Sequence, residues 1–360
     1  MNTEENKPKG LRRALWPVLA VVALVAGYGA VLYADPNDSG KTDTADDWSG
    51  PNEPAASVGS PEASAESVAA KEELATIEGT FFYIDSGSEG GELWSWTPGR
   101  QPESRYKSAK SKLFVDATVS PDGRHLAFLV PGSEYPKVDL VVRDLTKNTE
   151  RTIAKGLGQG GEYTMDAHWA PDGRPMILTQ TRFGTAGIVL RWFNIETGDK
   201  SQEIEMHGSF PRPVPRGDDG YDLYYLDLLA DGVRDIMKRE PGGRVTATGL
   251  GPAVEDALGQ PLLGLGAMSQ GADQACVTVG SPSGIRTRVL NCKIVLDVAT
   301  KMVVYSPDGG FKGPVLFLDD GRTIGRFSTF VSMRAADGSE LARVDEPALL
   351  RNLALLTHTT

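Results

Sequence analysis

The chain has 360 residues, of which 40% are hydrophobic and 24% charged, with 41 Gly and 23 Pro, a globular composition rich in turn formers. Its net charge of −11 argues against a nucleic-acid partner, because such binding rests on neutralising phosphates with Lys and Arg.

The first predicted element is "LWPVLAVVALVAGYGAVLYA", residues 15–34. An uncharged run of about twenty residues matches a helix that crosses a bilayer. Lys7, Lys9, Arg12 and Arg13 precede it, and Asp35, Asp38, Asp43, Asp46 and Asp47 follow. The positive-inside bias puts residues 1–14 in the cytoplasm and everything after residue 34 outside. A cleaved signal would need small residues at alternate positions before the cut. Leu32 precedes a cut after Ala34 and Tyr28 one after Ala30, so the segment reads as a signal anchor, with cleavage and secretion as the alternative. Residues 35–75 form a linker of Ser, Ala, Pro and acids, with ten acids against two lysines between 35 and 74. Such a composition buries too little apolar area to offset its ordering entropy, so a disordered tether spanning roughly 35 Å is expected.

From residue 76 onward the chain repeats. "VSPDGRHLAFLV" (119–130) returns as "WAPDGRPMILTQ" (169–180). Aligning the turns on Asp122 and Asp172 and continuing at the same interval reaches Asp219, Gly271 and Asp320, at steps of 50, 47, 52 and 49 residues. Each turn leads into a β-rich run, then a third and a fourth. Pro, Asp and Gly suit a tight turn between antiparallel strands, and four short strands per unit without helical periodicity mean a sheet repeated radially. Six units fill residues 76–360, and the expected fold is an all-β, six-bladed propeller of four-stranded antiparallel blades. "SPDGG" at Ser306–Gly310 falls out of this frame and is assigned to the connection into the last blade.

The two clear units resemble the WD40-like repeats of TolB-type propellers, which also occur in the propellers of prolyl oligopeptidases. The resemblance covers residues 76–360 and implies the propeller fold. Through TolB it also implies a role at the cell envelope.

No arrangement for catalysis emerges. "GSPSG" (280–284) has Pro282 where a nucleophile-elbow serine would sit, and the four histidines, His125, His168, His207 and His358, are scattered. His125 follows a turn arginine and reads as a solvated strand residue. "GLGQGG" (156–161) precedes a strand rather than a helix, so it is a blade connection and not a nucleotide loop. Neither a metal site nor a cofactor is expected. Asp116 and Asp166 each lie six residues before a turn aspartate and start the innermost strand of adjacent blades. They could bind a cation or a basic peptide at a channel mouth, or accept backbone N–H bonds. Arg212 and Arg216 occupy the corresponding region of the next blade and could pair with them. Trp169 is assigned to interblade packing. Cys276 and Cys292, placed on the second and third strands of blade five, are expected to form a disulfide outside the cytoplasm. Reflection about "SPSG" sets Cys276 opposite roughly residue 290.

Blade one lacks a strand before "GTFFYID", and residues 349–356 are expected to supply it by pairing with Phe81–Ile84, the rival being a short helix. The resulting expectation is a monomeric, membrane-anchored, extracytoplasmic propeller. It would be non-enzymatic and dock an envelope protein or peptide. A small-ligand receptor or enzyme using the channel mouth is the alternative.

Overall fold

The sequence period becomes six antiparallel sheets of four strands each. The computed structural model describes residues 76–360 apart from 86–89, 110–115, 134–136, 159–165, 184–186, 219, 231, 281–291 and 308–309. The expected anchor and linker lie outside the described residues, among which no helix is long and apolar enough to cross a membrane.

Blade two contains β4 (Asp116–Val119), β5 (His125–Pro131), β6 (Val138–Asp144) and β7 (Thr149–Leu157). Blade three contains β8 (Asp166–Trp169), β9 (Met176–Phe183), β10 (Gly187–Asn194) and β11 (Ile204–Met206). Blade four contains β12 (Ser209–Pro215), β13 (Tyr221–Leu228), β14 (Arg234–Arg239) and β15 (Val245–Ala247). Blade five contains β16 (Leu262–Met268), β17 (Gln274–Val279), β18 (Ile294–Asp297) and β19 (Val303–Tyr305). Blade six contains β20 (Val315–Phe317), β21 (Thr323–Arg326), β22 (Phe330–Arg334) and β23 (Glu340–Asp345). In each of these the strands pair in sequence order, and the first strand is the innermost, touching its counterparts in neighbouring blades.

Blade one differs. Its order is β24 (Ala354–Thr359), β1 (Thr80–Asp85), β2 (Glu92–Trp96) and β3 (Glu103–Lys107), so the last strand of the chain closes the ring. The pairing runs from Thr80 opposite Thr359 to Ile84 opposite Ala354. Gly79 is required beside it, since a Cβ there would stand 2.3 Å from the Thr359 carbonyl oxygen. The closing strand thus begins five residues later than expected, and Ala348–Leu350 form a 3-10 turn instead. The Arg326 guanidinium explains the delay. It donates to the carbonyls of Leu350 (2.8 Å) and Leu353 (2.5 Å), holding that stretch out of the ladder.

The core is divided rather than central. Six apolar clusters fill the six seams between blades, because a twisted sheet has two apolar faces and each is covered by a neighbour. Three seams add a tyrosine, an arginine and a carboxylate. Tyr106 donates to Glu150 (3.0 Å) under the Arg143 guanidinium, and Tyr221 donates to Asp172 (2.9 Å) under Arg174. Tyr83 donates to Glu346 (2.8 Å) with Arg326 above its ring. Burial, then the bond to Glu150, pushes the Tyr106 phenol up to about 12.

Two features depart from the expected pattern. A helix, α1 (Leu250–Leu258), packs on β14 and β16 between blades four and five. Its first turn is held from outside by buried Asp235, which accepts the N–H groups of Gly249 and Gly251, each at 2.8 Å. Gly251 lies so close to β14 that a Cβ would stand 1.8 Å from the Arg234 carbonyl oxygen. In blade five, Cys276 lies on β17 opposite Val295, not opposite residue 290. Cys292 lies just before β18 rather than on it. The two cysteines are nonetheless joined as a disulfide, with Cα atoms 5.6 Å apart.

Candidate functional site: the turn-side mouth of the channel

Blades two to six each join the innermost strand to the next by a short turn, and three of these turns share one local design. Asp122 accepts the N–H of Arg124 (3.0 Å), Asp172 that of Arg174 (3.2 Å) and Asp320 that of Arg322 (3.1 Å). The glycine between them takes φ of 70°, 76° and 82° at Gly123, Gly173 and Gly321. Arg174 and Arg322 return their Nε–H to the same aspartates, each at 2.6 Å. The repeated Asp-Gly-Arg is therefore a self-contained turn, with the acid satisfying the backbone and the arginine satisfying the acid. Asp219, the counterpart in blade four, lies outside the described residues.

These turns surround a cavity of about 790 Å³. Asp122, Asp172, Asp319 and Asp320 line its rim; Asp122, Asp172 and Asp320 are ion-paired to the arginines of their own turns, whereas Asp319 is held by the neutral amide of Gln270. Apolar surface from Trp169, Met268, Phe317 and Leu356 lies between and below them. Burial acts to raise the Asp172 carboxyl, but the hydrogen bonds from Arg174 and Tyr221 outweigh it and hold the group below the usual carboxylate range. Asp319 accepts from the amide of Gln270 at 2.5 Å, and the same nitrogen donates to the Pro171 carbonyl at 3.0 Å.

His168 lines the same cavity. Arg212 donates to its Nε2 at 3.1 Å and to the Gly266 carbonyl at 2.7 Å, so one guanidinium on β12 spans from blade three to blade five. Burial, and then the Arg212 charge, lower the His168 imidazole to about 3. It is neutral at physiological pH, with Nε2 as acceptor. His358 on β24 donates through Nε2 to the Glu78 carbonyl at 2.7 Å, and burial lowers its basicity.

Of the four residues singled out in the sequence, Arg216 is engaged apart from the mouth-lining groups. Asp116 and Asp166 open β4 and β8, at the strand ends away from the Asp-Gly-Arg turns. One oxygen of Asp116 accepts the Ala167 N–H of the next blade at 2.8 Å. Arg212 is inside the channel beside His168. Arg216 turns to its own blade instead, where Asp222 and Glu240 each lie 3.3 Å away. Their charges draw it there. His125 is half-buried rather than solvated, its ring 6.0 Å from that of Trp169 across the seam. Trp169 packs in that seam, donates its indole N–H to the Thr118 carbonyl (3.1 Å) and also reaches the mouth.

Gln270 and Asp319 are not marked by the repeat motif. Both occupy the turn position held by Pro121 and Pro171 in blades two and three. Reading down that aligned position, rather than the aspartate after it, is the signal that finds them.

No family model matches the sequence, and no curated protein matches it. Among solved structures the chain is similar to TolB from Acinetobacter baumannii at 15% identity and a TM-score of 0.48. That similarity covers 78% of this chain and 66% of the TolB chain. It is similar to the nidogen/laminin complex at 10% identity and a TM-score of 0.45, over 78% of this chain and 98% of that one. The β-propeller domain of the trilobed protease from Pyrococcus furiosus is similar at 12% identity and a TM-score of 0.41, over 76% and 85%. The assignment as a six-bladed propeller rests on the sheet topology itself.

Proposed function

We propose that the propeller is a non-enzymatic docking module that receives a protein or peptide segment bearing cationic side chains at its turn-side mouth. It would be carried at the cell envelope by the N-terminal anchor. The observation behind this reading is the mouth itself, where Asp319 stands at the rim held by an amide, over apolar surface, which suits a segment carrying a cation beside hydrophobes. Its polar groups are engaged in holding structure. Asp172 serves Arg174 and Tyr221, Asp320 serves Arg322, and His168 serves Arg212. The Cys276–Cys292 disulfide suits an oxidising compartment. One observation favours a second reading, a small-ligand receptor: the cavity volume falls within the range of small-molecule sites.

The test is cross-linked affinity capture in the native envelope, with the soluble propeller as bait. Asp319→Lys/Asp320→Lys reverses the rim charge, and Arg105→Ala, on the outermost strand of blade one, serves as a control away from the mouth. A partner that cross-links to the wild type and the control but not to the rim variant supports docking at the mouth. A partner retained by the rim variant refutes it. Native mass spectrometry that finds a stoichiometric small molecule, lost in the rim variant, moves the assignment to the receptor.

A further inference from the structure

Blades three and six stand opposite each other in a ring of six, yet one side chain touches the turns of both. The Gln270 amide nitrogen, carried by the β16–β17 turn of blade five, donates to the Pro171 carbonyl of blade three and to the Asp319 carboxylate of blade six. A group bonded to opposite walls crosses the axis between them. We propose that Gln270 is a gate across the mouth, restricting passage from the rim to the deeper part of the same cavity.

The turn that carries it is built differently from its counterparts. Pro121 and Pro171 become Gln270, and the position of Gly123, Gly173 and Gly321 becomes Ala272, which nevertheless takes φ of 57°. A left-handed alanine is disfavoured, and a proline at the preceding position would have preset the turn. Ser269 bonds Asp273 and accepts the N–H of Gln274 at 2.9 Å, as Ser120 does with Asp122 and His125 in blade two. This turn therefore lacks the glycine of blades two, three and six and, like that of blade six, the proline of blades two and three, and carries instead a side chain long enough to cross the opening. The strand beneath it contributes to its placement. β16 contains two register shifts against β17, between Leu262 and Gly264 and between Leu265 and Ala267, and such bulges bend a strand and re-aim its end.

The gate is a single amide with two hydrogen bonds, one to a neutral carbonyl and one to a carboxylate at the solvent-facing rim. Rotation of one side chain opens it. A segment that offers Asp319 a better donor than an amide, such as an ammonium or guanidinium group, removes one of the two bonds holding it shut. The inference stands apart from the docking reading, since passage into the channel can be measured with no ligand present.

Thr118 lies two residues below the β4–β5 turn, roughly 7 Å deeper at the rise of a strand, and lines the channel wall. Thr118→Cys reports access to the channel, and Pro121→Cys reports the exposed rim. Each is labelled with a positively charged methanethiosulfonate in the native disulfide-bonded protein. In the Gln270→Ala background the Thr118→Cys rate should rise about tenfold, as expected from losing two hydrogen bonds, while the Pro121→Cys rate stays within about twofold. Gln270→Glu should have the same effect at nearly constant volume, because a carboxylate neither donates to Pro171 nor tolerates Asp319. Thr357→Cys on β24 repeats the measurement from the wall of blade one. Melting curves identify any variant that fails to fold, and the second cysteine then carries the test. Equal labelling of the channel cysteines with and without the Gln270 amide overturns the gate.

Discussion

The seam between blades four and five and the seam between blades six and one accomplish the same task by different means. The first is held by apolar packing, its buried carboxylate, Asp235, being engaged by backbone N–H and hydroxyl groups at the start of α1 rather than by a cation. Leu226, Ile236, Leu262, Leu265 and Val277 meet there, and Leu250 and Val254 of α1 extend the cluster. The second contains a buried ion pair. Arg326 and Glu346 are 2% and 1% exposed, lie 2.9 Å apart, and are joined by the hydroxyl of Tyr83. The difference reflects connectivity. Blades four and five are consecutive in the chain and find each other without a directional device. Blade one must capture a strand from the far end of the chain, in one register out of several. A slipped β24 would move the Leu350 and Leu353 carbonyls off Arg326 and leave a buried charge short of partners, which is costly. Apolar packing alone is less demanding about register.

The largest expected effect comes from removing the strand that the ion pair registers. Deleting residues 354–360 strips blade one of its innermost strand and exposes the β1 edge. The truncated propeller should lose cooperative thermal unfolding, measured by circular dichroism. An unchanged melting temperature would show that β24 does not close the ring. Next, Glu346→Ala should cost about 3–5 kcal/mol in urea denaturation, since it strands the Arg326 charge. Replacing both partners, as Arg326→Met with Glu346→Leu, should cost less than Glu346→Ala alone. Equal losses would mean that the pair's charge is not the relevant quantity. At the other seam, Leu265→Ala should cost ~2–5 kcal/mol through transfer and cavity terms. This loss should not vary between pH 5 and 8, because neither Leu265 nor its replacement titrates.

The smallest effect concerns the exposed relative of the closing triad, Asp172 with Arg174 and Tyr221. The Asp172 carboxyl is held below its usual range, so its folded value lies below its unfolded one. Its contribution is present above the ordinary carboxylate value of about 4, and is lost as the pH falls through the folded value. Asp172→Asn should therefore lower stability at pH 7 by under about 1 kcal/mol, and this difference should vanish toward pH 2. A difference that persists in acid would assign the effect to packing.

The same contrast explains how much could be read from the sequence. The turns were legible because Asp122, Asp172 and Asp320 act on residues two positions away. Strand runs and the missing strand of blade one were legible for similar reasons, since alternation and an unfilled edge are local patterns. Helix α1 was not. Pro252 in its first turn and Gly259 after its end are ordinary helix signals, but its N-terminus carries no side-chain cap of its own. Asp235, on a strand of the preceding sheet, supplies that function, so the helix depends on tertiary structure. The site shows the same limit. Arg212 was found in the channel, but its partner His168 lies 44 positions away, and Gln270 meets Pro171 across 99 positions. Nothing local distinguishes Gln270 from any other loop glutamine, and Arg216 found acids on its own blade that its frame position did not suggest.

The closing strand also sets a clock. Glu78 and His358, which touch in the finished ring, are 280 positions apart, so the first strand must wait for the last. Contacts at such separation are slow to form, and five blades can be assembled while the sixth position still offers an unpaired edge. During that interval β1 can accept β24 from its own chain or from a neighbour. Refolding at high concentration should therefore yield strand-exchanged dimers, and dilute refolding only closed rings. The step that completes the ring is also the step at which two molecules can be mistaken for one.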